Sequence, residues 1–242
     1  MNTHNTNTAG FFITGTDTGV GKTLVSAALI RLFAQRGIRV AGMKPVASGA
    51  YRDGDAWRNE DVEMLRAQAN VDLPAAIINP YQLKEATAPH IAAQAEGIPI
   101  ELAHIERCYR EIRRAADMVI VEGAGGFVVP LNDNANSDDL AARLGLPVIL
   151  VVGIRLGCIN HALLTQRAIA GRGLRLAGWV ANVIDPQEPR SGAMVASLRQ
   201  RIDTPMLGRL PWRDGMDAAM AAGLLDPAIL AQAALADDAA VI

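Results

Sequence analysis

Cysteine is scarce. Cys108 and Cys158 are the only two, too few for a disulfide framework and without the clustered spacing of a zinc site. A basic excess is missing too: 23 lysines and arginines face 25 aspartates and glutamates, for a formal net charge of -2. That argues against a general nucleic-acid binder, which must neutralise many phosphates, while leaving room for a local anion pocket. The longest apolar stretch, Leu146 to Ile154, is interrupted by a proline and a glycine and is far short of the ~20 residues of a membrane span. Met1 to Thr8 is polar and Asn/Thr-rich, without the basic and apolar segments of a signal peptide. No internal repeat and no Pro/Gly/Ser linker breaks the 242 residues, half of them hydrophobic. The expectation is one soluble cytoplasmic domain over 1–242, with a polar tail at 1–9 and a frayed end at 237–242.

What is present is an alternation. Phe11-Phe12-Ile13 leads into Gly15-Thr16-Asp17-Thr18-Gly19-Val20-Gly21-Lys22-Thr23, and then Leu24, Val25, Leu29, Leu32 and Phe33 recur at helical spacing. Further strands are expected over 38–43, 118–121, 147–152, 176–180 and about 206–207. Helices are expected over 59–70, 101–116, 160–172 and 191–201. The alanine-rich end predicts a short helix at 217–222, closed by Gly223, and another opened by Asp226 and Pro227 that runs to about Ala236. Strands alternating with helices imply right-handed βαβ units: an α/β fold whose mostly parallel sheet carries helices on both faces.

The first loop carries chemistry. Between a strand and a helix, Gly21-Lys22-Thr23 is the end of a P-loop: glycines turn backbone N–H groups inward around phosphate oxygens, and the helix dipole adds to them. Lys22 supplies a point charge and the Thr23 hydroxyl a ligand for Mg²⁺. Gly15 lies six residues before Gly21, one more than the general pattern has. Lysine is rare here, three against twenty arginines, so the placing of Lys22 and Lys44 is informative.

In a parallel sheet all carboxyl ends of strands face one rim, where ligands bind. Lys44 ends the second strand, Glu122 the strand at 118–121, and Asn182 the strand around 176–180, so one site can draw on all three. Glu122, followed by Gly123-Ala124-Gly125, puts a hard carboxylate where the backbone leaves room for a ligand, which suits Mg²⁺. Asp61 is either an acid stabilising a helix start or a third magnesium-facing group, and sequence does not choose it over Asp55. Ser48 can hydrogen-bond a substrate or simply make a turn. Gly157-Cys158-Ile159-Asn160 opens a helix and can offer N–H groups to a carboxylate, or be a plain helix start. Asn182, in Asn182-Val183-Ile184-Asp185, faintly resembles a base-reading motif and is a candidate adenine contact.

Taken together, these blocks resemble dethiobiotin synthetases. The resemblance is carried by Gly15 to Thr23, Ala41-Gly42-Met43-Lys44-Pro45-Val46-Ala47-Ser48-Gly49, Asn79-Pro80-Tyr81, Ala88-Pro89-His90, Val121 to Gly126, Gly157 to His161, Ala177 to Asn182 and Leu210-Pro211-Trp212. They occur in the family's order, and the longer phosphate loop is the family's own. The resemblance implies a P-loop NTPase-like fold and an ATP- and Mg²⁺-dependent ligase that joins CO₂ to 7,8-diaminopelargonate and closes a ureido ring. It implies Lys22 as the phosphate lysine, Lys44 as the active-site lysine, and Thr23, Asp61 and Glu122 facing the metal. Nucleotide contacts would come from Gly19 to Leu24 (Val20 and Gly21 among them), Asp61, Glu122 to Gly125, Asn182, Val183, Pro211, Trp212 and Arg213. Thr18 and Ser48 would touch the diamine or its carbamate. A homodimer is implied, with Gly157 to Asn160 of one subunit binding the substrate carboxylate in the other's site.

Three positions depart from the family pattern: Gly19 where glutamate is common, Val183 where an acid is common, and no tyrosine near Met194. The alternative is an ATPase switch of the ParA/MinD type. Those proteins have a second lysine early in the loop, absent here, and MinD-like ones a basic amphipathic tail, whereas this C-terminus is acidic and alanine-rich. A cobyrinate-type amide synthetase would bring a glutaminase domain, for which no room is expected.

Overall fold

Strand β1 (Ala9–Gly15) can sit in the middle of a sheet because it is apolar on both faces: Phe11 and Ile13 enter one core and Phe12 the other. The computed structural model describes residues 9–235, so the tails at 1–8 and 236–242 lie outside the described residues. Ala9, expected in the tail, already pairs with Met118.

After β1 come α1 (Lys22–Ala34), β2 (Val40–Met43), β3 (Val46–Ala47), a hairpin of β4 (Tyr51–Asp53) and β5 (Ala56–Arg58), and α2 (Glu60–Gln68). Then follow α3 (Ala75–Ile78), β6 (Tyr81–Gln82), α4 (Pro89–Glu96), α5 (Leu102–Ala115) and β7 (Met118–Glu122). The rest is β8 (Pro130–Asn132), β9 (Ala135–Asn136), α6 (Ser137–Leu144), β10 (Val148–Ile154), α7 (Cys158–Gly171), β11 (Leu176–Val183), α8 (Ser191–Arg199), β12 (Met206–Leu210), α9 (Ala218–Ala222) and α10 (Pro227–Leu235).

Six strands form one sheet in the order β12-β11-β10-β1-β7-β2, with every neighbouring pair parallel. Leu29 and Ile30 of α1, Ala221 of α9 and Leu230 of α10 pack on one face. Ile105 and Ile112 of α5, Ala162 of α7 and Leu198 of α8 pack on the other. The α/β class with helices on both faces is as expected.

Several boundaries differ for local reasons. Helix α7 begins two residues early, at Cys158, because Gly157 serves as its N-cap in the left-handed region, φ 93°. Strand β11 continues to Val183 because Gly153 and Leu210 keep pairing with Asn182 on its two sides. Asn182 therefore lies inside its strand rather than beyond its end. Helices α3, α4 and α6 and the small ladders were not expected. Strands of two or three residues offer no periodicity to read. Helix α6 had a legible start, since Asn136 and Asp139 form a capping box and Gly145 closes the helix at φ 63°.

Candidate active site

The chain leaves β1 toward β2 on one side of the sheet, while β10 to β12 build the other. At this switch the carboxyl ends of β1, β2, β7 and β11 open on one rim. The phosphate loop turns there through Gly19 (φ 73°) and Gly21 (φ 89°). Gly21 caps α1 without any side-chain bond to the helix, which leaves the first N–H groups available to an anion. Lys22 is buried, and its Nζ donates to the Asp17 carbonyl at 3.0 Å. Asp17 in turn accepts the Thr18 N–H at 2.8 Å and pairs with Arg155 at 2.6 Å. From below, Asn182 Nδ2 donates to the Val20 carbonyl at 2.9 Å. A Cβ on Gly21 would collide with that same nitrogen.

Opposite the loop lies a charge cluster in which Lys44 and Glu122 are buried and Asp61 is partly exposed. Lys44, next after β2, places Nζ 2.5 Å from Glu122 Oε1 and 2.9 Å from Asp61 Oδ2. Thr23 Oγ1 donates to the same Glu122 oxygen at 2.8 Å. Glu122 ends β7 and is fully buried; a charge there is tolerable only with partners this close. Asp61 arrives on the first turn of α2. Asn59 caps that helix by accepting the N–H groups of Asp61 and Val62, and its Nδ2 donates to the Ser48 carbonyl at 3.1 Å. Of the two aspartates, Asp61 stands beside Lys44, whereas Asp55 is exposed at the turn of the β4–β5 hairpin.

The electrostatics follow from that packing. Burial, and then the charge of Lys44, push the Lys22 pKa down to about 8 against the pull of Glu122, Asp61 and Asp17. Burial works against the Lys44 charge as well, but the Glu122 and Asp61 carboxylates outweigh it and hold its pKa above the ordinary lysine value. Asp61 is also desolvated, yet Lys44, Thr23 and Lys22 keep its carboxyl below the usual range. Glu122 Oε2 is buried with no partner among the described residues. That orphaned oxygen, with the Thr23 hydroxyl and the Asp61 carboxylate, makes a hard-oxygen donor set that fits Mg²⁺.

Other expected residues distribute around this centre. Thr18 and Gly19 are exposed on the outer loop. Gly125, at φ 64°, brings the turn after Glu122 against the loop, so that a Cβ there would lie 3.7 Å from Thr18 Oγ1. Gly123 fits under the Phe12 ring, and Ala124 beside it is partly buried. Ser48 Oγ is buried and has no partner among the described residues. Leu24 and Val183 pack into the two cores, so any ligand contact from them runs through their backbone. Pro211, Trp212 and Arg213 follow β12 and are exposed. At the start of α7, Gly157 and Asn160 are exposed, Ile159 is partly buried and Cys158 is buried. Asn59, Asn79 and the Asp17–Arg155 pair have no role assigned from the sequence; only Asn59, an asparagine directly before a helix, carries a readable structural signal.

A family model described as an AAA domain matches residues 9–220. The chain is 49% identical over 225 residues, 91% of its length and 95% of the relative's, to the ATP-dependent dethiobiotin synthetase BioD of Janthinobacterium sp. (strain Marseille). Among solved structures it is similar to the MinD cell division protein of Aquifex aeolicus, with a TM-score of 0.56 and 16% identity over 97% of this chain and 99% of that one. It is likewise similar to the septum site-determining protein MinD of Pyrococcus horikoshii OT3, solved with Mg-ADP, with a TM-score of 0.55 and 16% identity over 89% and 87% of the two chains. At such identities these structures speak for the fold alone.

Proposed function

The chain belongs to the ATP-dependent dethiobiotin synthetases, and from that premise we propose that it joins CO₂ to 7,8-diaminopelargonate and closes the ureido ring of dethiobiotin, with release of ADP and phosphate. The observation that carries this reading is the Lys44–Glu122–Asp61–Thr23 cluster facing a phosphate loop. It unites a phosphate cradle with a second, differently held ammonium. A Ser-His-Asp arrangement is unnecessary, because the nucleophiles belong to the substrate.

One amine of the diamine adds CO₂ and loses a proton, giving a carbamate that the Lys44 ammonium holds and that Thr18 and Ser48 orient. In-line transfer of the γ-phosphoryl group makes a carbamic–phosphoric anhydride and ADP, with Lys22 and the open N–H groups of α1 spreading the charge. The neighbouring amine then attacks the anhydride carbon, phosphate leaves, and the five-membered ring closes. Intramolecular attack gains high effective molarity, so orientation is the main task of the protein. Thr23, Asp61 and Glu122 would hold Mg²⁺, which when bound neutralises phosphate charge as a Lewis acid. Asn182, Val183 and Pro211 to Arg213 are assigned to adenine. We assign Gly157 to Asn160 to the substrate carboxylate in the site of a second copy, so the working unit is a homodimer, acting in the cytoplasm.

The test is ADP release by purified protein with Mg-ATP and bicarbonate, with and without the diamine, together with the mass of the product. Turnover that depends on the diamine, with a mass gain of CO minus two hydrogens, is expected. Lys44→Ala should lower it about 10²–10³-fold, the scale of removing one preorganised charge-stabilising donor. ATP turnover indifferent to the diamine would instead favour a MinD-type switch.

A further inference from the structure

Lys44 follows a four-residue strand and precedes Pro45, so the peptide unit between them has no N–H and can be held only through the Lys44 carbonyl. That carbonyl accepts a hydrogen bond from Asn79 Nδ2 at 2.6 Å. On the other side, the Lys44 N–H donates to the Ile78 carbonyl at 2.9 Å. Asn79 Nδ2 also donates to the Tyr81 carbonyl at 3.2 Å. Both neighbours of this nitrogen are carbonyl oxygens, so an NH₂ group satisfies them and a carboxylate would repel them. Asn79 is itself buried, 6% exposed, and its Oδ1 finds no partner among the described residues. The residue closes α3, its own N–H donating to the Ala75 carbonyl at 2.8 Å, and Pro80 keeps the helix from continuing. Its backbone is therefore fixed, and its amide is spent on two carbonyls.

We infer that Asn79 is a positioning residue for the reaction: its amide clasps the Lys44 carbonyl and so sets the direction in which the ammonium enters the site. The inference rests on the reading of Lys44 as an active-site lysine. The ammonium sits 2.5 Å from one carboxylate oxygen and 2.9 Å from another, a geometry with little tolerance. A displacement of about 1 Å at a reacting group can cost roughly 10²-fold in rate.

Two variants of the full chain test this. Asn79→Asp keeps the shape and removes the donors; Asn79→Ala removes both. Lys22, Lys44 and Lys84 are the only lysines, so ¹⁵N-labelled lysine gives three side-chain signals, which single substitutions assign. The expected result is folded protein with unchanged Mg-ADP affinity, a displaced Lys44 signal, and Lys22 and Lys84 signals that stay in place. Diamine-dependent kcat should fall about 10–100-fold while KM for ATP holds. An unmoved Lys44 signal would overturn the inference, as would equal movement of all three. Failure of both variants to fold would overturn it too, by making Asn79 a folding residue. Should the unsubstituted chain show no diamine-dependent turnover, the proposed reaction falls, and the lysine spectrum alone then decides the fate of the clasp.

Discussion

Two helices of this molecule open in the same way and end in different surroundings. Helices α1 and α7 each follow a buried parallel strand, each are capped by a glycine in the left-handed region (Gly21 at φ 89°, Gly157 at φ 93°), and neither has a side-chain cap. At α1 the chain supplies every wall itself: Lys22 and Thr23 within the helix, Asn182 beneath, and Glu122 and Lys44 across the rim. At α7 the neighbouring cation, Arg155, is turned away to Asp17, and Leu156 is 85% exposed. Backbone donors at a helix start can attract an anion, but selecting one takes opposing side chains. That difference favours a second copy as the missing wall at α7.

The contrast can be broken most sharply at the two glycines. Alanine in the left-handed region costs about 1–2 kcal/mol at either position. At Gly21 the added Cβ also collides with Asn182 Nδ2, so Gly21→Ala should abolish Mg-ADP binding in calorimetry. At Gly157 the nearest atom to such a Cβ is His161 Cε1 at 4.0 Å. Gly157→Ala should therefore bind nucleotide as the unsubstituted chain does while its KM for the diamine rises; equal damage at both glycines would erase the distinction. A smaller effect is expected of Leu156→Glu: if the proposed homodimer pairs through this face, the substitution should lower the light-scattering mass to that of a monomer at unchanged nucleotide affinity. A dimer that survives the substitution would move the interface elsewhere.

The smallest effect is a proton. In the free protein Lys22 titrates at about 8, and a phosphate beside it raises that value. Nucleotide binding at about pH 8.5 should thus take up a fraction of a proton, and at about pH 6.5, where the amine is already charged, almost none. Calorimetry in two buffers of different ionisation enthalpy measures this. Absence of uptake at the higher pH would mean that burial does not discharge Lys22.

Much of the rim was legible because a parallel sheet converts one-dimensional position into common direction: Lys44 and Glu122 each follow or end a short apolar run, and both arrive where the first loop turns. Asp61 was not separable from Asp55, because the choice depends on a hairpin of two three-residue strands and on the bond from Asn59 to the Ser48 carbonyl. The bracing of the loop by Asn182 spans 162 positions, and the sequence suggested only an adenine contact for it. Asn79 lies between an Ile and a Pro in a stretch that reads as loop, and its bond to the Lys44 carbonyl becomes visible only when β2 and α3 are side by side. Common direction at the ends of strands was readable, whereas the individual side-chain bonds that cross the chain were not.

The site also has a charge balance. Lys22 and Lys44 contribute two positive charges and Asp61 and Glu122 two negative ones, the last three joined by ion pairs and Lys22 acting on them through space. The enclosure is thus close to electroneutral before any ligand enters. A bare triphosphate would drive it strongly negative, whereas a nucleotide arriving with its divalent counter-ion adds far less net charge to a poorly screened space. Because one oxygen of Glu122 already serves both Thr23 and Lys44 while the other is unclaimed among the described residues, a cation can join these groups without dismantling their contacts. Nucleotide and counter-ion should accordingly be taken up as a unit, with either alone bound weakly.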